Sequence, residues 1–169
     1  MIRNVLTRLL LSSTVLSISS SVALAFNERD VARVVKQYAH TVACNVDDQS
    51  VKVVKVSGVP NESDLGDLYF ASWLGDFGCA GGSGTTLPQF TAITHESFDS
   101  VIVQPTFPIP NLVIKEVDRL AIMKGDVVIE GIGYGPDDPQ SNPTKKIKYI
   151  LRLTPFDLGE RRFEIVKQK

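Results

Sequence analysis

Apolar and polar positions change rhythm several times along this chain, and each rhythm predicts an element. The first is an apolar run, rich in serine, through Leu9, Leu10, Leu11, Val15, Leu16, Ile18 and Val22, with Arg3 and Arg8 at its start and Ala23-Leu24-Ala25 at its end. It is shorter than the roughly 20 residues that span a bilayer, and small residues stand before Phe26. That pattern reads as a secretory signal peptide over residues 1–25, leaving residues 26–169 as the mature chain.

The second rhythm is helical. Val31, Val34, Val35, Tyr38 and Val42 recur at the spacing of one buried face, Asn27 or Asp30 can cap the first turn, and the helix is expected to end near Cys44. From Ser50 the period falls to that of a strand. Val51, Val53, Val54 and Val56 are β-branched, and Gly58-Val59-Pro60-Asn61 stops the run. Leu68 to Leu74 is continuously apolar and aromatic, as in a central strand, and it enters a glycine-rich turn. Phe90, Ala92 and Thr94 alternate with their neighbours, and Phe98 to Val103 gives another short strand before Pro105, Pro108 and Pro110.

The second half begins with Val113 to Met123 and Val127 to Tyr134, joined through Lys124-Gly125-Asp126 as a tight hairpin. After a loop of turn formers from Gly135 to Pro143, Lys146 to Leu153 alternates polar with apolar, and Arg162 to Val166 supplies the last strand. One helix followed by seven or eight short strands predicts an α+β domain built on a mostly antiparallel, strongly twisted sheet. The proline-rich stretch reads as a connection between two halves of that sheet.

Composition narrows the picture. Cleavage after Ala25 would leave 144 of the 169 residues, enough for one domain with one packed core. Loss of Arg3 and Arg8 reduces the 18 basic residues to 16 against 19 acidic, a net charge of −3, with neither sign strongly clustered. Nucleic acid is therefore not an expected partner. Lys145, Lys146 and Lys148 fall in an alternating strand pattern and read as a solvated face. No further apolar segment in the mature chain is long enough to cross a membrane, and no cysteine at the cleavage site supports a lipid anchor.

Both cysteines, Cys44 and Cys79, lie in the mature chain and are expected to form one disulfide. With no CxxC spacing and two histidines, His40 and His95, neither a zinc site nor a redox pair can be assembled, and no cofactor or metal is expected.

The most distinctive local feature is Gly75 to Thr85, with five glycines in eleven residues. It lacks the Gly-Lys-Ser/Thr of a phosphate loop, and the strand that follows excludes a dinucleotide fingerprint. Gly81-Gly82-Ser83-Gly84-Thr85 is not a nucleophile elbow. A structural turn secured by Cys79 is the expected role, with part of a partner-binding surface as the functional one. His95 toward Ser83 or Asp99 would be a catalytic pairing, but a lone loop histidine is the simpler reading, and His40 belongs to the helix end. Asp137, Asp138 and Asn142 offer three oxygen ligands, yet fit no EF-hand and are explained by side chains capping their own turn. Glu116 and Asp118, two apart, are taken as a solvent-facing pair. Tyr69 and Trp73 share one strand face and Phe70 the other, chiefly as core; any exposed aromatic beside the glycines would make a good partner anchor.

At these residues the chain resembles a family of small, uncharacterised bacterial exported proteins that share an aromatic strand running into G-D-x-G-C-x-G-G-S-G-T, here Gly75 to Thr85. The likeness continues to Tyr134-Gly135-Pro136-Asp137-Asp138. Relatives place cysteines in the following loop, where this chain has Pro139-Gln140-Ser141-Asn142, so a second disulfide is missing. The resemblance implies a bacterial source and a periplasmic or secreted destination, and brings no established activity.

The functional expectation is a non-enzymatic module that binds another envelope or secreted protein, as an inhibitor, immunity factor or envelope accessory. Its contacts would be Trp73, Asp76, Phe77 and Ser83 from the glycine-rich loop and Tyr134, Asp137 and Asp138 from the second loop. Two rivals remain. One is a small envelope hydrolase using Asp76, Asp137 and Asp138, with or without calcium; the other is a structural subunit that pairs through a strand edge.

Overall fold

The computed structural model describes residues 27–56, 66–79, 84–96, 100–139, 142–154 and 161–169. Residues 1–26, Gly58 to Asn61, Ser83, Phe98 and Asp99 lie outside the described residues.

Helix α1 runs over Glu28–Val42. Asn27 and Asp30 share the capping role: the Asn27 side chain accepts from Arg29 N–H at 2.8 Å and Asp30 N–H at 3.4 Å, while Asp30 accepts from Asn27 N–H at 3.4 Å. Its buried stripe is Val31, Val35 and Ala39, flanked by Tyr38. Val42 does not belong to that stripe; it is exposed in the last turn, and Ala39 at the four-residue spacing takes the inward place.

Eight strands follow: β1 (Asn45–Lys55), β2 (Asp67–Asp76), β3 (Thr86–Glu96), β4 (Ser100–Gln104), β5 (Glu116–Met123), β6 (Asp126–Gly133), β7 (Lys145–Leu153) and β8 (Phe163–Gln168). Every ladder is antiparallel. The α+β class, the antiparallel pairing and the Cys44–Cys79 disulfide are as the sequence indicates, with the strands parted into two four-stranded meanders, β1-β2-β3-β4 and β5-β6-β7-β8. The proline-rich segment 105–115 thus joins two sheets. It is strapped down by Phe163 N–H donating to Pro108 C=O at 2.9 Å and by the buried Tyr149 hydroxyl accepting from Val113 N–H at 3.1 Å.

Two hydrophobic cores produce three layers. Between the sheets, Leu68, Phe70 and Ala92 of the first meet Val127, Ile129, Ile147, Tyr149, Leu151 and Phe163 of the second. On the other face of the first sheet, Tyr69, Ala71, Trp73 and Ile93 meet the α1 stripe. The first sheet is therefore covered on both faces, which is why β2 reads as a continuous apolar run. The outward face of the second sheet carries charge instead: Arg152 pairs with Asp126 at 2.8 Å, and Lys148 and Arg119 both pair with Glu130. The hairpin between β5 and β6 turns on Lys124 and Gly125, both with positive φ (54° and 86°), the backbone of a type I′ turn.

Strand β3 extends further toward its start than the sequence suggests, across Pro88. Only its second half, Ala92 to Glu96, pairs with β4. Phe77 N–H donates to Thr85 C=O (3.3 Å), a register that turns the backbone groups of Thr86, Pro88 and Phe90 away from β2 toward this open half-edge. There Pro88 has no N–H to offer, and the Thr86 carbonyl accepts from Lys115 Nζ at 2.8 Å.

Candidate functional site

The glycine-rich and acidic loops lie at the same end of the molecule. Lys115, which precedes β5, reaches Thr86 at the start of β3, and a cleft of about 600 Å³ is lined both by Leu87 and Pro88 and by Gly133 and Tyr134.

Local chemistry fixes the described flanks of the first loop, residues 75–79 and 84–85. Asp76 Oδ1 accepts from Gly78 N–H at 2.8 Å. The Thr85 side chain and this amide hold the Asp76 carboxyl below its ordinary range. Cys79 adopts positive φ (54°), and its disulfide, with Cα atoms 5.2 Å apart, ties the loop to Cys44 at the end of α1. Cys44 N–H also donates to Asp76 C=O at 2.9 Å. Gly75 is required by packing, since a Cβ there would meet the Trp73 ring and Ala43.

Trp73 is buried, with its indole N–H donating to Thr91 Oγ1 at 3.2 Å and its ring edge-to-face with Tyr38 at 6.2 Å. Its place in the core leaves little of it for direct contact. Phe77 is different. Its ring lies 5.9 Å from Trp73, yet the residue is 44% exposed.

In the second loop, Asp138 closes the turn by accepting from Gly135 N–H at 2.7 Å, Thr144 N–H at 2.6 Å and Thr144 Oγ1 at 2.7 Å. Those donors, Gly135 first, hold its carboxyl below the usual range. Asp137 is exposed, and Tyr134 is 37% exposed. The structure thus presents Phe77, Tyr134 and Asp137 outward, while Trp73, Asp76 and Asp138 build the surface from beneath. Among the described residues no group of three or more His, Cys, Asp or Glu side chains could hold a metal ion.

The remaining sequence candidates scatter. His40 Nε2 lies 2.9 Å from Asp48 Oδ1, with both side chains about half exposed. His95 sits on β3, whereas Ser83 and Asp99 are outside the described residues. Glu116 and Asp118 are both exposed on β5, and a register shift between Val117 and Arg119 leaves Asp118 unpaired in a bulge.

Sequence reasoning missed a second opening at this end, a cavity of about 520 Å³ between the sheets. It exists because β1 leaves the ladder: pairing jumps from Asp47↔Leu74 to Lys52↔Ser72, and Ser50 Oγ takes the Leu74 N–H at 2.8 Å in place of a strand carbonyl. Its wall includes Lys52, Ser72, Leu74, Pro88, Lys115 and Val117. The detectable signal was polar residues at inward parity, Ser72 in step with Leu68 and Phe70, and Lys52 in step with Val54 and Val56.

No protein-family model, no curated protein and no solved structure matches this chain. Among the described residues no helix is long and apolar enough to cross a membrane.

Proposed function

We propose that this is a bacterial exported protein, periplasmic or secreted, that binds another protein through the disulfide-anchored end of its two sheets, as an inhibitor, immunity factor or envelope accessory would. The observation that carries the reading is Phe77, a 44% exposed aromatic seated on buried Trp73 in a loop tied down by Cys79. An aromatic held rigidly at the surface loses little conformational freedom on binding and suits a hot spot. Tyr134 and Asp137 stand exposed at the same end and supply a second contact region. The disulfide agrees with an oxidising compartment.

The hydrolase reading draws less support. Asp76 and Asp138 accept hydrogen bonds that lower their pKa values, the opposite of a general acid held protonated near neutrality. Affinity capture from native envelope and secreted extracts tests the proposal, with the oxidised protein as bait and Phe77→Ala as control. A stoichiometric partner recovered by the wild type and lost with Phe77→Ala is the expected result. Recovery of the same partner by both baits would remove Phe77 from the site, and recovery of none would overturn the proposal.

A further inference from the structure

The cavity between the sheets carries an inference independent of protein binding. Ser72 is 1% exposed and stands on the cavity wall, and its hydroxyl has no hydrogen-bond partner among the described residues. A buried hydroxyl left unpaired costs stability, and an apolar residue would fit this otherwise apolar strand. Directly across the ladder on the same face stands Lys52, half-buried, with no ion pair or hydrogen bond among the described residues. On the other side Ser72 pairs with Phe90. One inward row therefore runs from ammonium to hydroxyl to phenyl.

The charges around the opening are sorted by depth. Lys52 and Lys115 are half-buried, whereas Asp47 and Glu116 are exposed at the mouth, where water screens them. Asp47 Oδ1 is further occupied by Gln49 N–H at 2.9 Å. The inner wall thus presents positive charge and the unpartnered Ser72 hydroxyl, with Leu74, Pro88 and Val117 as apolar lining. A volume of about 520 Å³ lies within the range of small-molecule sites.

We infer that this cavity binds a small apolar molecule ending in a carboxylate, whose oxygens accept from Lys52 Nζ and Ser72 Oγ while its body lies along Leu74, Pro88 and Val117. The test uses decanoate and its neutral counterpart decanol, titrated into the disulfide-bonded protein by calorimetry and by fluorescence of Trp73, the chain's one tryptophan, which also borders the cavity. Decanoate is expected to bind saturably and about tenfold more tightly than decanol, as charge-assisted hydrogen bonds require. Lys52→Met should weaken decanoate about tenfold and erase its preference over decanol. Ser72→Ala should weaken decanoate several-fold and leave decanol unchanged.

Thermal unfolding checks that each variant folds, and Lys52→Gln replaces Lys52→Met if the latter does not. No binding of decanoate up to about 1 mM, equal binding of decanol, or unchanged affinity in the lysine variant would each overturn the inference. Phe77→Ala should bind decanoate like the wild type by calorimetry, so failure of the protein-binding proposal and failure of this one are told apart.

Discussion

The two sheets are built from the same number of strands in the same meander, yet they hold their residues in different ways. In the first sheet, β2 is buried on both faces, by α1 on one side and the second sheet on the other, so Leu68 to Trp73 are all buried. In the second sheet, β7 buries Ile147, Tyr149 and Leu151 and turns Lys146, Lys148 and Arg152 outward. The first sheet is held by packing; the outer face of the second adds ion pairs in water, which contribute little. Ser72 is the exception inside the packed sheet.

Three measurements sharpen the contrast. The largest effect is expected from Phe70→Ala, which removes a fully buried ring in contact with Phe90 and Phe163 (centroids 5.9 and 5.0 Å away) and should cost about 3–5 kcal/mol in urea unfolding. A loss typical of a surface site would show that the two sheets do not share a core there.

Arg152→Ala on the outer face should cost several-fold less, and its cost should depend on pH. The hydrogen bonds from Arg152 hold Asp126 below its ordinary value of 3.8. A depressed folded-state pKa contributes stability that is complete above the unfolded value and is lost as pH falls through the folded one. Variant and wild type should therefore differ at neutral pH and converge in acid below that value. A difference that persists there would mean that Arg152 acts through packing of its stem.

The smallest effect is expected from Ser72→Ala. Removing an unpartnered buried hydroxyl should leave stability within about 1 kcal/mol of the wild type or slightly raise it. A large loss would mean that the hydroxyl has a partner and that its place beside Lys52 is structural.

The same contrast explains what could be read in advance. The β2 run was legible because burial on two faces leaves no alternation, and β7 because burial on one face enforces it. Lys124-Gly125 announced its hairpin, and Asn27 with Asp30 announced the helix start. Face-to-face packing of two sheets was not legible, because strand periodicity shows which residues face inward but not which sheet they meet. Pro88 masked the start of β3, since a proline is tolerated in a sheet where the neighbouring strand falls short, and that length cannot be read locally. The loops of the proposed interface stood out by composition. The cavity did not, because Lys52, Ser72 and Lys115 converge only once β1 swings out of the ladder between Asp47 and Lys52.

Pro88 and Lys115 have a further effect on how the molecule behaves at high concentration. A foreign strand sliding along the open half of β3 would meet an occupied carbonyl at Thr86 and a missing donor at Pro88 on successive rungs. Cross-β growth needs an uninterrupted row of such rungs, so this edge is a poor seed for polymerisation despite the apolar cleft beside it. The protein can keep an opening between its sheets without the half-edge of β3 beside it offering a template to lengthen.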